Sequence, residues 1–287
     1  MPIPLCPMDY TGSRGRVMLA RMRHTAVLVL GCVAVALVVA CGGTPQPTPA
    51  PTLDVEATAQ AVPSATPIAP TPTPLATLVP NLTADEYFER GNAYVDSGDY
   101  EKAVENFDET IRLNPQDAEA YYNRGVAYWY LGQYQLAMQD FDEAIRLNPK
   151  YAKAYYNRGV AYLHLRQYQR AIQDYDEAIR LNLQHPFAYN NRGLAYSKLG
   201  EHERAIQDFD EAIRLNPQDA EANTNRGGAY GDLDQYERAI QDYDEAIRLN
   251  PRLAWAYYAR GLMYQILDQQ KLADDDFAKA KELGYDP

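Results

Sequence analysis

The sequence predicts an all-α protein, an α-solenoid of six helix–turn–helix units of 34 residues each, preceded by an apolar export segment and a proline-rich tether. Three observations predict it. The span 84–287 divides into 84–117, 118–151, 152–185, 186–219, 220–253 and 254–287 with no insertion. Each unit holds two apolar stripes of helical period broken by a turn such as Gly98-Asp99 or Gly132-Gln133. All three cysteines, Cys6, Cys32 and Cys41, precede the repeats, so the body has no disulfide, thiolate nucleophile or cysteine metal site.

The first element is residues 1–40. Arg14, Arg16, Arg21 and Arg23 precede an almost uninterrupted apolar run from Thr25 to Ala40. A basic stretch, a short apolar core and small residues at its end make a secretory signal. The run is short for a membrane span, which needs about 20 residues. Val38-Val39-Ala40-Cys41 resembles the lipobox of bacterial lipoproteins, and that resemblance implies a lipidated Cys41 as the mature N-terminus. Met18 or Met22 as the start gives a more usual signal length, and an uncleaved anchor is the alternative reading. Either way the repeats are expected outside the cytoplasmic membrane, held to it by the N-terminus. Residues 41–83 follow as a Thr/Pro/Ala tract with prolines at 45, 47, 49, 51, 63, 67, 70, 72, 74 and 80. Prolines at that density remove backbone donors and favour extended chain, and few apolar side chains remain to form a core. The tract reads as a disordered spacer.

Within the repeats one register recurs six times. Glycines stand at 91, 125, 159, 193, 227 and 261, and a tyrosine follows three residues later in every unit, as at Tyr94 and Tyr128. Nine residues on is an alanine, as at Ala103 and Ala137. Four further is an aromatic: Phe107, Phe141, Tyr175, Phe209, Tyr243 and Phe277. Small residues let two helices approach, and the rings fill the space beside them. The second helices end in Arg-Leu-Asn-Pro, as at Arg112 to Pro115, where Asn is expected in a left-handed cap and Pro stops the helix. Gly284 takes that slot in the last unit. Leu183 replaces the usual proline in the third, and Pro186 appears instead at the next helix start. Thr83 and Glu86 form a capping-box pattern before the first helix.

This spacing resembles the tetratricopeptide repeat across the whole span 84–287. The resemblance implies first helices lining a concave face that binds a protein or peptide. The residues expected there are Tyr122, Asn123, Val126, Trp129 and Tyr130, then Tyr156, Asn157, Val160 and His164, then Asn190, Asn191 and Leu194. Aromatics with a few amides suit an extended peptide or a helix, asparagine serving both donor and acceptor of a backbone. Some members of the family clamp a C-terminal carboxylate with lysines; here Phe88 and Tyr122 stand where a clamp lysine is expected.

One departure from the family pattern is an arginine before every repeat glycine: Arg90, Arg124, Arg158, Arg192, Arg226 and Arg260. Sixteen residues on stands Asp140, Asp174, Asp208, Asp242 or Asp276, with Asn106 in the first unit. The spacing predicts a pair inside each unit, from first helix to second; an arginine ladder for an anionic ligand is the competing reading. The other acids, such as Asp142 and Asp176, lie four residues before Arg146 and Arg180 and are expected to pair along the helix surface.

Charge excludes some function classes. The chain carries 27 basic and 39 acidic side chains, and the repeats alone hold a net −13 with no basic stripe, so nucleic acid is not an expected partner. By unit the net charge runs −7, −1, +2, −2, −3 and −2, favouring a partner with a basic end and an apolar middle. His164, His185 and His202 are scattered, with no phosphate loop or nucleophile elbow, so no catalytic site, metal or cofactor is expected. The expected role is a binding scaffold. Self-association by stacking of repeats between chains, giving a homo-oligomer, is the competing one.

Overall fold

The computed structural model describes residues 82–181 and 185–285. Cys41, the apolar segment before it, the proline tract and Leu183 lie outside the described residues. Twelve helices and no strand are found among those described. In chain order they are α1 (Ala84–Ser97), α2 (Tyr100–Leu113), α3 (Ala118–Tyr130), α4 (Tyr134–Leu147), α5 (Ala152–His164) and α6 (Tyr168–Leu181). Then come α7 (Pro186–Leu199), α8 (His202–Leu215), α9 (Ala220–Asp232), α10 (Tyr236–Leu249), α11 (Ala254–Ile266) and α12 (Gln270–Glu282). Each odd helix packs against the even helix after it, and each even helix against the first helix of the next unit. First helices of successive units touch, while second helices make no comparable approach. The first helices therefore form the inner row.

Helix ends follow from their residues. The Thr83 hydroxyl accepts from the Glu86 N–H at 3.2 Å, and the Glu86 carboxylate accepts from the Thr83 N–H at 2.8 Å, closing the capping box on α1. Asp117 and Asp219 cap α3 and α9 through carboxylates that accept from two backbone N–H groups each. Pro186 opens α7 with the His185 ring as its cap, Nδ1 accepting from the Ala188 N–H. Between helices of a unit the chain turns through a left-handed residue, Gly98, Gly132 or Gly200, with φ 80°, 73° and 80°. Arg166, Asp234 and Asp268 hold the same slot at φ 58°, 59° and 56°.

The asparagines ending the second helices differ from expectation. Asn114, Asn148, Asn216 and Asn250 have φ near extended backbone, not left-handed. Their side-chain oxygens accept from the N–H two residues on, at 3.1 Å for Lys150 and Arg252. The slot calls for an Asx-turn, which asparagine supplies by its amide. Gly284 is the exception, with φ 91°.

Inside each hairpin the register glycine faces the repeat aromatic. A Cβ on Gly125 would lie 2.8 Å from Phe141, too close for any side chain without displacing the ring. Between units the contact is Ala against branched aliphatic: Val104 clusters with Ala127, and Ile206 with Ala229. Both ends of the array break this pattern. Ala120, Ala154, Ala188, Ala222 and Ala256 are wholly buried, and the equivalent residue in the first unit is the exposed Glu86. The slots of Ile206 and Ile213 hold Asp274 and Lys281 in the last unit, both exposed.

Candidate functional site

The inner row is largely closed. Tyr122, Val126 and Trp129 on α3, and Tyr156, Asn157 and Val160 on α5, are buried. So are Asn190, Asn191 and Leu194 on α7. Asn123 is half-buried, and only Tyr130 and His164 of the expected groove residues are exposed. The cause is the next unit's first helix, which lies over these side chains. Its amides are engaged too: Asn157 Nδ2 donates to the Tyr122 hydroxyl at 3.0 Å, and Asn191 Nδ2 to that of Tyr156 at 3.1 Å. Asn123 donates to Asn92 Oδ1 at 2.9 Å and Asn225 to Asn190 Oδ1 at 3.1 Å. These asparagines join repeats to each other, which corrects the expectation that they meet a partner's backbone. Burial pushes the Tyr122 and Tyr156 hydroxyls well above the ordinary phenol range, with the asparagine bonds opposing it.

The arginines pair as their spacing predicts and also bridge units. Arg124 Nε and Nη2 donate to the two oxygens of Asp140 at 2.8 and 2.7 Å, a fork on a carboxylate of the same unit. Its Nη1 donates to Asp108 of the preceding unit at 2.6 Å. The same three bonds recur at Arg158, Arg192, Arg226 and Arg260. The guanidinium of Arg124 also lies 5.5 and 5.8 Å from the rings of Tyr121 and Tyr128. Burial alone would lower the Arg124 guanidinium, but the bonds and charges of Asp140 and Asp108 outweigh it and hold it above its usual value. Burial raises the Asp140 carboxyl despite Arg124. The expected surface pairs four residues apart are not formed. Arg146 and Arg248 instead pair with Glu143 and Glu245, three residues back, both at 2.6 Å. Asp142 is thereby left to Arg158 of the next unit.

The ladder stops at both ends. Among the described residues Arg90 forms no ion pair, and Asn106 occupies the place of its carboxylate, its Nδ2 turned to the Lys102 carbonyl at 2.7 Å. In the last unit Ala278 stands where Asp244 and its equivalents stand. Asp274 and Asp275 are exposed, whereas Asp276 is buried against Arg260.

A second row of contacts, not foreseen from the sequence, runs along the edge where first helices end and second helices begin. In the first, second and fourth units the first residue of the second helix meets the last turn of the next unit's first helix. Tyr100 stacks on Tyr130 with centroids 4.6 Å apart and planes 6° from parallel. Tyr134 stacks on His164 at 6.3 Å, with Trp129 4.8 Å from Tyr134 and edge-on to His164 at 5.1 Å. His202 Nδ1 lies 3.5 Å from Asp232 at the equivalent place two units on. The signal was a tyrosine opening four of the six second helices, at 100, 134, 168 and 236. Exposed large apolar side chains gather nearby in the second and third units, at Tyr130, Tyr134, Leu136 and Leu165, while Phe187 lies at the opposite end of α7 and Leu113 and Leu272 are exposed in the first and last units. Burial lowers the His164 imidazole from its usual value. No group of His, Cys, Asp or Glu that could hold a metal occurs among the described residues. None of the described helices is long and apolar enough to cross a membrane.

Known proteins place the chain. Models described as tetratricopeptide repeat match residues 88–152, 126–186, 186–219 and 209–241, and one described as TPR repeat matches 229–267. The structure of MamA residues 41 to the end, from Desulfovibrio magneticus RS-1, is 25% identical, with a TM-score of 0.56. It matches 59% of this chain and 96% of its own. YrrB, a TPR protein with an unusual peptide-binding site, is 24% identical over 63% of this chain and 94% of its own, TM-score 0.55. PilF of Pseudomonas aeruginosa is 20% identical over 70% and 91%, TM-score 0.61; these last two show the fold alone. No curated protein matches the chain. With its period, paired helices and register residues matched from residue 88 to 267, the chain belongs to the tetratricopeptide repeat family.

Proposed function

We propose that this protein is a non-catalytic scaffold, tethered to the cell envelope by a lipid on Cys41, that binds a protein segment along its repeats. The observation that carries the binding reading is where exposed apolar surface lies. Tyr130, Tyr134, Leu136, Leu165 and Phe187 present most of it in the middle units, against Leu113 alone in the first and Leu272 alone in the last, and the outward slots of both ends hold Glu86, Asp274 and Lys281. Charged ends discourage a second copy from continuing the spine, which favours a lateral partner over end-to-end stacking. The buried residues of the inner row support the array rather than touch the partner. The tether rests on the Val38-Val39-Ala40-Cys41 pattern and the proline tract after it.

The test is crosslinked recovery of partners from membranes with the full chain and with Tyr130→Ser, Tyr134→Ser and Phe187→Ser combined. Loss of the recovered proteins is expected, and an unchanged set would refute a partner face on the middle units. Trp129 and Tyr156 are unsuitable for this test, since both are buried and their removal opens cavities. For the tether, Cys41→Ser should move the protein from the membrane to the soluble fraction.

A further inference from the structure

The edge row has a chemical direction. Its slot at the end of the first helices holds Asp96, then Tyr130, then His164, then Lys198, reading from the first unit to the fourth. Asp96 is exposed, and Asp99 and Glu101 follow it around Tyr100. In the third unit Arg166, two residues beyond His164, is exposed and holds a left-handed backbone at φ 58°. Three other units put glycine in that slot, where no side chain is strained. Asp234 and Asp268 hold it in two more, at φ 59° and 56°, so what sets the third unit apart is a long cationic side chain in that slot, two residues beyond His164. The first unit is the most acidic at −7, and the third is the one unit with net positive charge, +2.

We propose that this shelf takes an extended peptide segment lying along the row. A basic side chain meets Asp96, an aromatic or proline residue rests on Tyr130 and Tyr134, and a carboxylate meets Arg166. The inference rests on the reading of the middle units as the partner face and adds the chemistry of what lies on it. Neighbouring helices pack about 8–10 Å apart, so Asp96 and Arg166, two units apart, are separated by about 20 Å. An extended chain advances about 3.3 Å per residue, which places the basic and acidic residues about six positions apart. A flat ring or a pre-extended proline suits a shelf of stacked tyrosines at small entropic cost. Complementary charge at the two ends fixes the direction in which the segment lies.

The probe is a labelled heptapeptide with lysine first, a tyrosine followed by proline at its centre, and glutamate last, bound to the full chain and read by fluorescence anisotropy. Its companions replace the glutamate by glutamine or the lysine by glutamine. Arg166→Gly, which relieves the turn, should weaken the parent peptide about three- to fivefold, the scale of an exposed ion pair, and leave the glutamine-ended peptide unchanged. Asp96→Asn should do the same for the lysine end alone. Tyr134→Ser should weaken all three about tenfold or more. Equal losses for charged and uncharged peptides, unchanged binding in Tyr134→Ser, or no binding of the parent peptide at millimolar concentration each overturn the proposal. If partner recovery from membranes is still lost in the triple serine variant, the partner face stands and only the assigned peptide chemistry falls.

Discussion

Asp174 and Asp142 bond the same Arg158 but from opposite sides, and their removal should not cost the same. Asp174 is buried and accepts the two-toothed bond, whereas Asp142 is more than half exposed. Asp174→Ala leaves a mostly buried guanidinium short of its main partner and should cost about 3 kcal/mol. Asp142→Ala should cost under about 1 kcal/mol; urea denaturation of the two variants checks the order. Histidine sets a pH dependence. Burial lowers His185 below its usual value, opposed by its backbone bond, and its Nδ1 must stay unprotonated to cap α7. A histidine depressed in the folded state contributes stability above its unfolded pKa of about 6.5, which is lost as pH falls below it. Melting temperature should therefore drop between pH 7.5 and 5.5, and less steeply in His185→Asn, which keeps a capping acceptor. The own-unit half of each arginine contact was legible because arginine and acid recur together in five units. The half reaching back to the preceding unit was hidden by a nearer arginine four residues from the same acid, at a spacing that helices often use.

At the level of elements, the turn between paired helices shows what backbone geometry asks of sequence. Arg166→Gly should raise stability by up to about 1 kcal/mol, since glycine adopts φ 58° without strain and gives back part of that gain through unfolded-chain entropy. A thermal melt reads it directly, and no change would mean that the arginine side chain compensates. The twelve helices, two to a unit, were readable from a period of 34 and its turn residues. Burial on the inner row was not. Tyr122 and Asn157 are 35 residues apart, and whether an aromatic on a first helix faces solvent depends on how far the next unit's helix slides over it. Spacing along one helix carries no record of that slide. The terminal asparagines misled for a related reason. The same residue favours both a left-handed cap and an Asx-turn, and the side-chain bond to the following N–H decided between them.

Across the whole molecule the two ends differ from the middle in kind. Asp274→Ile with Lys281→Ile would restore the aliphatic slots that every earlier unit presents to its successor. That variant should associate with rising concentration in light scattering while the parent protein does not, and equal masses at all concentrations would show that charge at this face is not what keeps chains apart. The arginine ladder has a consequence for how such a chain changes through descent. Every internal junction joins an arginine to the same two aspartates, so excising one internal block of 34 residues rejoins chemically identical partners. Copy number can drift by whole blocks without the ladder having to be reinvented. The outermost blocks, with Asn106 at one side and Ala278 at the other, cannot trade places with the rest.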